Sequence, residues 1–490
     1  MSGWPVLTRL EMRAAESDLI ASGRLGAETL MDRAAAAIAD AFTRHLGRCS
    51  EAAVLVGGGN NGGDAAGAGI LLAKSGLRVR VYTAGSRQTA QTTERLARLL
   101  QMPGVRAASW GEPPDAKAGM IDGLLGTGVS KPLRSDMVAY LDQASAWGLP
   151  TVACDLPSGL DPDSGEMLCR GPKATVTVAL GALKPGLLLA DGPACSGVLE
   201  LADLGIEPAE LGSRRQWLSV DQVASPVFLS TDHKGDRGRV LVLAGSPGLA
   251  GAAALTTLAA LRAGAGLVRL ATDQSLEPRF TAICPEATTL ALLPDAEDAA
   301  SALSAAVAEG FRFIAAGPGI GRTKRSAALL AAVCAAPWQK MVLDADALWH
   351  LAHGVLWPEN RAALVITPHA GEFATLFPDL EGSPLSQVEQ ASRRTGATVL
   401  LKGATTIVAS RDETSLISGA HDLLAQGGSG DVLTGLIAVC LARHDSVHAA
   451  VVEAVSIHGR ASQLLFEQRG RGAGARALCE QIPAAMKAPR

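Results

Sequence analysis

Along most of the chain, short runs of β-branched and aliphatic residues alternate with Ala- and Leu-rich stretches of helical period. Such alternation predicts parallel strands joined by covering helices, an α/β fold. In the first half the strand candidates are "AAVLV" from Ala52, "LRVRVY" from Leu77, "AGMIDGLLG" from Ala118, "TVACDLPSG" from Thr151 and "ATVTVAL" from Ala174. The second half offers "GRVLVLAGS" from Gly238, "GLVRLAT" from Gly266, "FRFIAAGPG" from Phe311, "KMVLDADAL" from Lys340, "ALVITP" from Ala363 and "ATVLLKGA" from Ala397. Between the halves, Glu210 to Gly238 carries little period of either kind and several turn formers, which predicts a linker near Arg214–Pro226. No fixed-period repeat relates the halves. Two different α/β domains are expected, residues 1–215 and 226–490.

Composition narrows the class. Hydrophobic residues are 48% and charged ones 19%, which argues against disorder. Aromatics are only 3%, so small and aliphatic residues must fill the core, as close helix–sheet packing requires. A net charge of -4 leaves no footprint for nucleic acid. The most apolar helical runs, such as "VLTGLIAVCLAR", are too short for a bilayer and read as core helices. The first residues lack an apolar signal-peptide centre, so no membrane association and a cytoplasmic location are expected. Eight cysteines stand singly without a C-x-x-C pair, which predicts buried reduced thiols, and the histidines lack zinc-ligand spacing. Apolar Ala-rich faces point to a homo-oligomer.

Candidate chemistry collects where strands end. "VLVGGGNNGGDAAGAG", Val54 to Gly69, fits G-x-G-x-x-G through Gly57, Gly59 and Gly62, but glycine makes up 54 of 490 residues and the match is cheap. A dinucleotide fold also needs an acid about 20 positions on, for a ribose hydroxyl. "LRVRVYTAG" contains none. The polar letters of this loop are instead Asn60, Asn61 and Asp64. Further strand ends carry Asp122 with Gly126-Thr127-Gly128, Asp155 with Ser158, and Lys184. Each alone is ordinary turn chemistry, but together they form a set at the end of the sheet where ligands sit in open α/β folds.

The second half concentrates its signal in "AQGGSGDVLTGLIAVCLA", Ala425 to Ala442, where glycines and Asp431 precede a strongly apolar helix. A helix N-terminus favours anions, so the Asp431 carboxylate is expected to be held as the anion, able to act as a base at neutral pH. "LLKGATTIV" offers Lys402, Gly403, Thr405 and Thr406 for phosphate, and "ITPHAGEF" presents His369 and Glu372. Asp344 and Asp346 in "LDADAL" either order Mg²⁺ through water or cap the next helix, with capping slightly favoured.

"GGGNNGGD", "IDGLLGTG", "DLPSGLD" and "LKPGL", in this order, resemble the NAD(P)H-hydrate epimerase domain of the YjeF N-terminal type, with a Rossmann-like three-layer α/β fold. The resemblance implies that Asn60, Asn61, Gly62, Gly63 and Asp64, with Gly126, Thr127, Gly128, Val129, Ser130, Lys131 and Pro132, bind NADH or NADPH hydrated at C6. It implies a potassium ion on Asn61, Asp122 and Ser158, and substrate contact with proton transfer at Asp155, with Lys184 a second candidate. Two departures stand out: the family's glycines after the loop aspartate and in the preceding helix are Ala65 and Ala35 here. Alanine tolerates a helical backbone but not a positive φ at low cost.

"HKGDRGRVLVLAGS", "AAGPGIGR", "LDADAL", "TPHAGEF", "LKGATT" and "GGSGDVLTG" similarly resemble the ADP-dependent NAD(P)H-hydrate dehydratases, which have a ribokinase-like α/β fold. Carried over, Ala253, Gly319, His369 and Asp431 contact the hydrated nucleotide, while Lys402, Gly403, Ala404, Thr405, Thr406 and Gly430 bind ADP with its Mg²⁺. Asp431 is the implied base, and the choice of ADP rests on the resemblance. Ser429 replaces a usual threonine, and Trp349 a usual asparagine. A ribokinase-like kinase of a small vitamin-type alcohol is the alternative, which the first domain argues against. So is a nucleotide sensor with a degenerate first domain, against which the retained Asp122, Asp155, Lys402 and Asp431 weigh.

Overall fold

The computed structural model describes residues 3–85, 87–129, 132–223, 233, 237–292 and 296–487. The chain forms two compact units, which divide between Gln216 and Trp217. Its strands, in chain order, are β1 (Trp4–Pro5), β2 (Glu51–Val56), β3 (Arg78–Thr83), β4 (Val105–Ala107), β5 (Gly119–Gly123), β6 (Thr151–Cys154), β7 (Val176–Leu180), β8 (Val198–Ala202) and β9 (Arg215–Ser219). The second unit continues with β10 (Arg239–Leu243), β11 (Leu267–Asp273), β12 (Thr288–Leu292), β13 (Phe313–Ala316), β14 (Lys340–Leu343), β15 (Leu364–Ile366), β16 (Thr398–Leu401), β17 (Thr406–Ala409) and β18 (Thr414–Ser418).

In the first unit the order β4-β3-β2-β5-β6-β7-β8 makes an all-parallel sheet. Side chains alternate across a strand, and here both faces are covered. Val54, Val56 and Ile121 pack with Ile38 and Phe42 of the helix Ala27–Leu46, while Ala53, Leu55 and Met120 pack with Met137 and Leu141 of the helix Ser135–Trp147. Three layers result, as the resemblance implied.

The second unit holds the strand order β18-β17-β16-β15-β14-β13-β10-β11-β12, parallel from β16 to β12 and closed at one side by the antiparallel β16-β17-β18 ribbon. Against it lies the helix Ser429–Arg443, whose residues Val432 to Leu441 are all buried. "VLTGLIAVCLAR" is therefore a core helix, and no helix among the described residues is long and apolar enough to cross a membrane. Six cysteines are buried and two half-buried, all unbonded.

Two corrections follow. The linker expected at Arg214–Pro226 is instead strand β9 followed by a 3₁₀ turn, Val220–Gln222, with its last residues outside the described ones. The sequence pattern also passes over β1, which is only two residues long, and β4, β8, β12, β17 and β18. Strands β4, β8 and β12 are sheet edges with partly exposed residues, so a burial-driven pattern is weak there. β17 and β18 are short and follow β16 in close succession, so the expected β16 segment absorbed the turn that starts them.

Candidate functional sites

In the first unit the chain runs from β2 outward to β3 and β4, then returns to β5 on the other side of β2. Such a switch point leaves a crevice beyond the strand ends, where ligands bind in open α/β sheets. A cavity of about 630 Å³ lies there, and Gly58–Asn61 after β2 and Leu124–Val129 after β5 line it. The supposed loop Asn60–Asp64 is the first turn of the helix Asn60–Lys74. Its N-cap, Gly59, has no capping side chain, so the positive helix end faces the cavity uncapped.

Helical register decides which of the expected residues reach the cavity. Asn60, Asn61 and Asp64 line it, as do Gly126, Thr127, Gly128, Val129, Pro132 and Asp155. Gly62 and Gly63 do not: a Cβ at Gly62 would stand 2.1 Å from the Gly57 carbonyl oxygen, and one at Gly63 would stand 2.5 Å from the Met31 methyl. Their smallness serves packing. Ser130 and Lys131 lie outside the described residues. Ala65 is fully buried inside this helix with an ordinary helical backbone, so the departure from glycine carries no φ penalty.

Beneath the cavity Asn61, Asp122 and Ser158 come together. Ser158 Oγ donates to Asp122 Oδ1 at 2.6 Å and its N–H to Oδ2 at 2.8 Å. Leu125 N–H donates to Ser158 Oγ at 2.9 Å, and Asn61 Nδ2 donates to the Leu125 and Cys154 carbonyls at 2.9 and 2.8 Å. Burial raises the Asp122 pKa against those hydrogen bonds. The oxygen-only donor set is the kind a hard cation takes.

Asp155 follows β6 at φ 68°, an unusual conformation for a residue with a side chain, which strand ends at functional sites often hold. Its Oδ1 accepts from Leu180 N–H at 3.0 Å and from the Lys184 ammonium. Lys184 is buried, also donates to the Leu180 and Ala182 carbonyls, and does not line the cavity. It therefore holds Asp155 from behind, away from the cavity lining. Asp64 is buried with Oδ1 lacking a hydrogen-bond partner among the described residues. Burial raises its pKa well above the usual carboxylate value, with Arg95 opposing and Asp155 and Glu16 adding. Sequence reasoning missed Arg13, Glu16, Arg87 and Arg134, which also line the cavity. They lie outside the glycine-rich motifs, and no local spacing marks them. The arginines are exposed while Asp64 and Asp155 are buried, so guanidinium groups stand at the cavity mouth and carboxyl groups at depth.

In the second unit the switch point lies between β10 and β13. The loops that follow these strands are tied together: Gly245 N–H donates to Pro318 O at 3.0 Å and Ser246 Oγ to Gly319 O at 2.9 Å. The following strand ends supply the polar groups. Asp344 follows β14, His369 follows β15 and Lys402 follows β16. Lys402 Nζ donates to Asp344 Oδ1 at 2.8 Å, and Thr434 Oγ1 to Asp344 Oδ2 at 2.7 Å. The helix Ser429–Arg443 points its N-terminus here, with Gly428 as an N-cap at φ 90° and no capping side chain. A Cβ at Gly430 would lie 3.4 Å from Lys402 Nζ, so this cation and the helix end converge.

Asp431 corrects one expectation. Burial, aided by Asp344 and Asp346 and opposed by Lys402, pushes its pKa up to about 6, where the helix end alone predicted a stabilised anion. It is still ionised at neutral pH, and a base near the working pH is the more effective one. Burial pulls the Lys402 pKa down, but Asp344, then Glu372 and Asp431, outweigh it and hold the ammonium charged. Asp344 and Asp346 do not cap the next helix. The helix Asp346–Ala352 has Ala345 as its N-cap, without a side-chain cap, and Asp346 instead accepts from Gly321 N–H at 2.9 Å and Arg322 Nε at 3.0 Å.

His369 is exposed and caps the helix Ala370–Leu376, its Nδ1 accepting from Gly371 N–H at 3.0 Å. Its backbone bridges to Lys402, which brings it to the same strand ends. Gly403 and Ala404 are exposed in the turn before β17, Thr406 is half-buried and Thr405 buried. Ala253 is fully buried within the helix Ala250–Arg262, where it packs under Gly245, so its side chain supports that glycine turn from below.

Together these features define a two-unit α/β enzyme with polar strand-end residues gathered at each switch point, in the second beside a carboxylate at the end of a core helix. Residues 240–484 match the family described as NAD(P)H-hydrate dehydratase, and residues 27–186 the YjeF-related protein N-terminus. A bifunctional NAD(P)H-hydrate repair enzyme of Thermosynechococcus vestitus is 34% identical over 91% of this chain and 90% of its own. One of Escherichia coli is also 34% identical, over 85% and 81%. A ribokinase-like protein of Enterococcus faecalis superposes on 56% of the chain and 95% of its own, with a TM-score of 0.50 at 25% identity. The chain belongs to the family of bifunctional NAD(P)H-hydrate repair enzymes.

Proposed function

We propose that the two units act in series on hydrated NADH and NADPH. The first unit interconverts the R and S epimers at C6, and the second removes water from the S form with ADP. The observation that carries the second half is Asp431, a half-buried carboxylate at an uncapped helix N-terminus beside Lys402 and Asp344. Hydroxide leaves carbon poorly, and phosphorylation turns the hydroxyl into a better leaving group. Asp431 takes the proton from the C6 hydroxyl, whose oxygen attacks the β-phosphorus of ADP as the bond to AMP breaks. Phosphate then departs from C6 with loss of a proton from C5, which regenerates NAD(P)H. Lys402 and the N–H groups at the helix end hold the phosphate charge. Asp344 and Asp346 present carboxylate oxygens of the type Mg²⁺ takes, and the ion would neutralise phosphate charge when bound with the nucleotide.

In the first unit, the carboxylates at the bottom of the cavity and the arginines at its mouth fit a dinucleotide that enters nicotinamide first and leaves its phosphates outside. Asn61, Asp122, Ser158 and the Leu125 carbonyl would hold potassium, which supplies a fixed positive charge for a substrate oxygen. Asp155, held by Lys184, handles the C6 hydroxyl proton.

The test follows the absorbance of NADH while a mixture of epimers is incubated with and without ADP. Complete conversion with ADP is expected. A plateau at the S fraction overturns the epimerase half, and no gain with ADP overturns the dehydratase half.

A further inference from the structure

Glu16 lines the epimerase cavity but has no part in the chemistry above. It projects from the helix Arg9–Ala21, whose N-terminus is closed by a capping box between Thr8 and Glu11. Met12 and Leu19 of this helix are buried, and Glu16 lies one turn from each on the same inward side. Among the described residues its carboxyl makes no hydrogen bond and no ion pair. The charged groups that face it are Lys184, Asp155 and Arg13, with Asp64 beside them. Asp64 also lines the cavity, and its Oδ1 is buried with no partner among the described residues.

The reaction needs two proton-transfer groups. C6 of the hydrate carries both a hydroxyl and the ring nitrogen N1, so it is a hemiaminal. Its configuration inverts if the C6–N1 bond opens and closes again. As the hydroxyl loses its proton, C6–O becomes a carbonyl. The C6–N1 electron pair moves to nitrogen, which takes up a proton. Rotation about C5–C6 then turns the other carbonyl face toward N1. Re-addition forms C6–N1 again, N1 gives up its proton, and the oxygen regains one. No atom or electron is gained or lost overall.

Resting on the epimerase reading, we propose that Glu16 is the second catalytic residue of this site, exchanging a proton with N1 while Asp155 exchanges one with the C6 hydroxyl. The two carboxyls stand in unlike surroundings, as an acid and a base in one site must. Asp155 is ion-paired with buried Lys184. Glu16 has no such partner, and burial raises its pKa, with Lys184 opposing and Asp155 adding.

The experiment compares Glu16→Gln, Glu16→Asp and Asp155→Asn in the full chain. Epimerisation of the R form is read as a function of pH, and ADP-dependent dehydration of the pure S form calibrates the amount of folded enzyme. Glu16→Gln is expected to lower kcat for epimerisation by about 10²–10⁴-fold, with little change in KM and loss of one limb of the pH profile. Glu16→Asp, which keeps a carboxyl, is expected to restore part of kcat and both limbs. A wild-type kcat in Glu16→Gln, a change confined to KM, or equal failure of the Gln and Asp variants overturns the proposal. Full epimerisation by Asp155→Asn would instead sink the epimerase assignment of the site, so the two failures are distinct.

Discussion

Lys402 Nζ stands 2.8 Å from Asp344 Oδ1, although the two residues are 58 positions apart and end different strands. Thr434 holds the other oxygen of the same carboxylate, four residues below Gly430 on the helix that presents Asp431. Asp344 thus links Lys402 to the helix that carries Asp431, and it lies close enough to raise the Asp431 pKa.

Asp344→Asn removes that negative charge and loosens Lys402. The Asp431 carboxyl then ionises more readily, so the acid limb of the dehydration rate is expected to move to lower pH, with KM for ADP raised. A pH–rate profile of kcat checks it. An unmoved limb means that burial alone sets Asp431.

Asp431→Asn is expected to abolish dehydration and to stabilise the fold. Folded Asp431 titrates at about 6 against an ordinary 3.8, so the folded state binds the proton more tightly. The stability this gives is fully present below the ordinary value and is lost as pH rises through 6. An uncharged asparagine avoids that loss, a gain on the order of 1–2 kcal/mol near pH 8 after allowing for partial exposure. Thermal unfolding of both proteins at pH 8 and at pH 4 tests the sign, since the gain must vanish at the lower pH.

Ala65 packs against Gly123, where an added Cβ would meet the Ala65 methyl at 2.4 Å. Gly123→Ala is expected to cost about 1–3 kcal/mol by overpacking. Ala65→Gly on its own costs roughly 1 kcal/mol in a helix interior and leaves epimerisation no faster. Combined, they should cost less than the sum, which a double-mutant cycle in urea measures.

Ser158→Ala removes the hydroxyl that joins Asp122 to Leu125. Epimerisation should then need more potassium for half-maximal rate, while dehydration of the S form is unmoved. Titration with KCl against a choline chloride background decides it.

Arg87 is exposed at the cavity mouth. Arg87→Ala is expected to raise KM for epimerisation roughly three- to tenfold at low ionic strength, less at high salt, with kcat preserved. A salt-independent effect would argue against a phosphate contact.

Some of this was legible in the sequence and some was not. The alternation of strands and helices, the separation into two α/β units and the motifs at the strand ends are local properties, written in burial patterns and turn chemistry. Edge strands β4, β8 and β12 escaped because partial exposure erases the pattern that marks a buried strand. The chemical letters Asn61, Asp122, Asp155, Lys402 and Asp431 stood out individually. Only the folded chain decides which of them meet. Sheet order brings Asp344 to Lys402, and helical register turns Asn61 and Asp64 toward the cavity while it turns Gly62 and Gly63 away. The same packing hides Lys184 behind Asp155 and brings Glu16 from a distant helix to the same wall. The pKa of Asp431 likewise depends on burial and neighbouring carboxylates, which are properties of three-dimensional proximity and not of the helix end that its motif reveals.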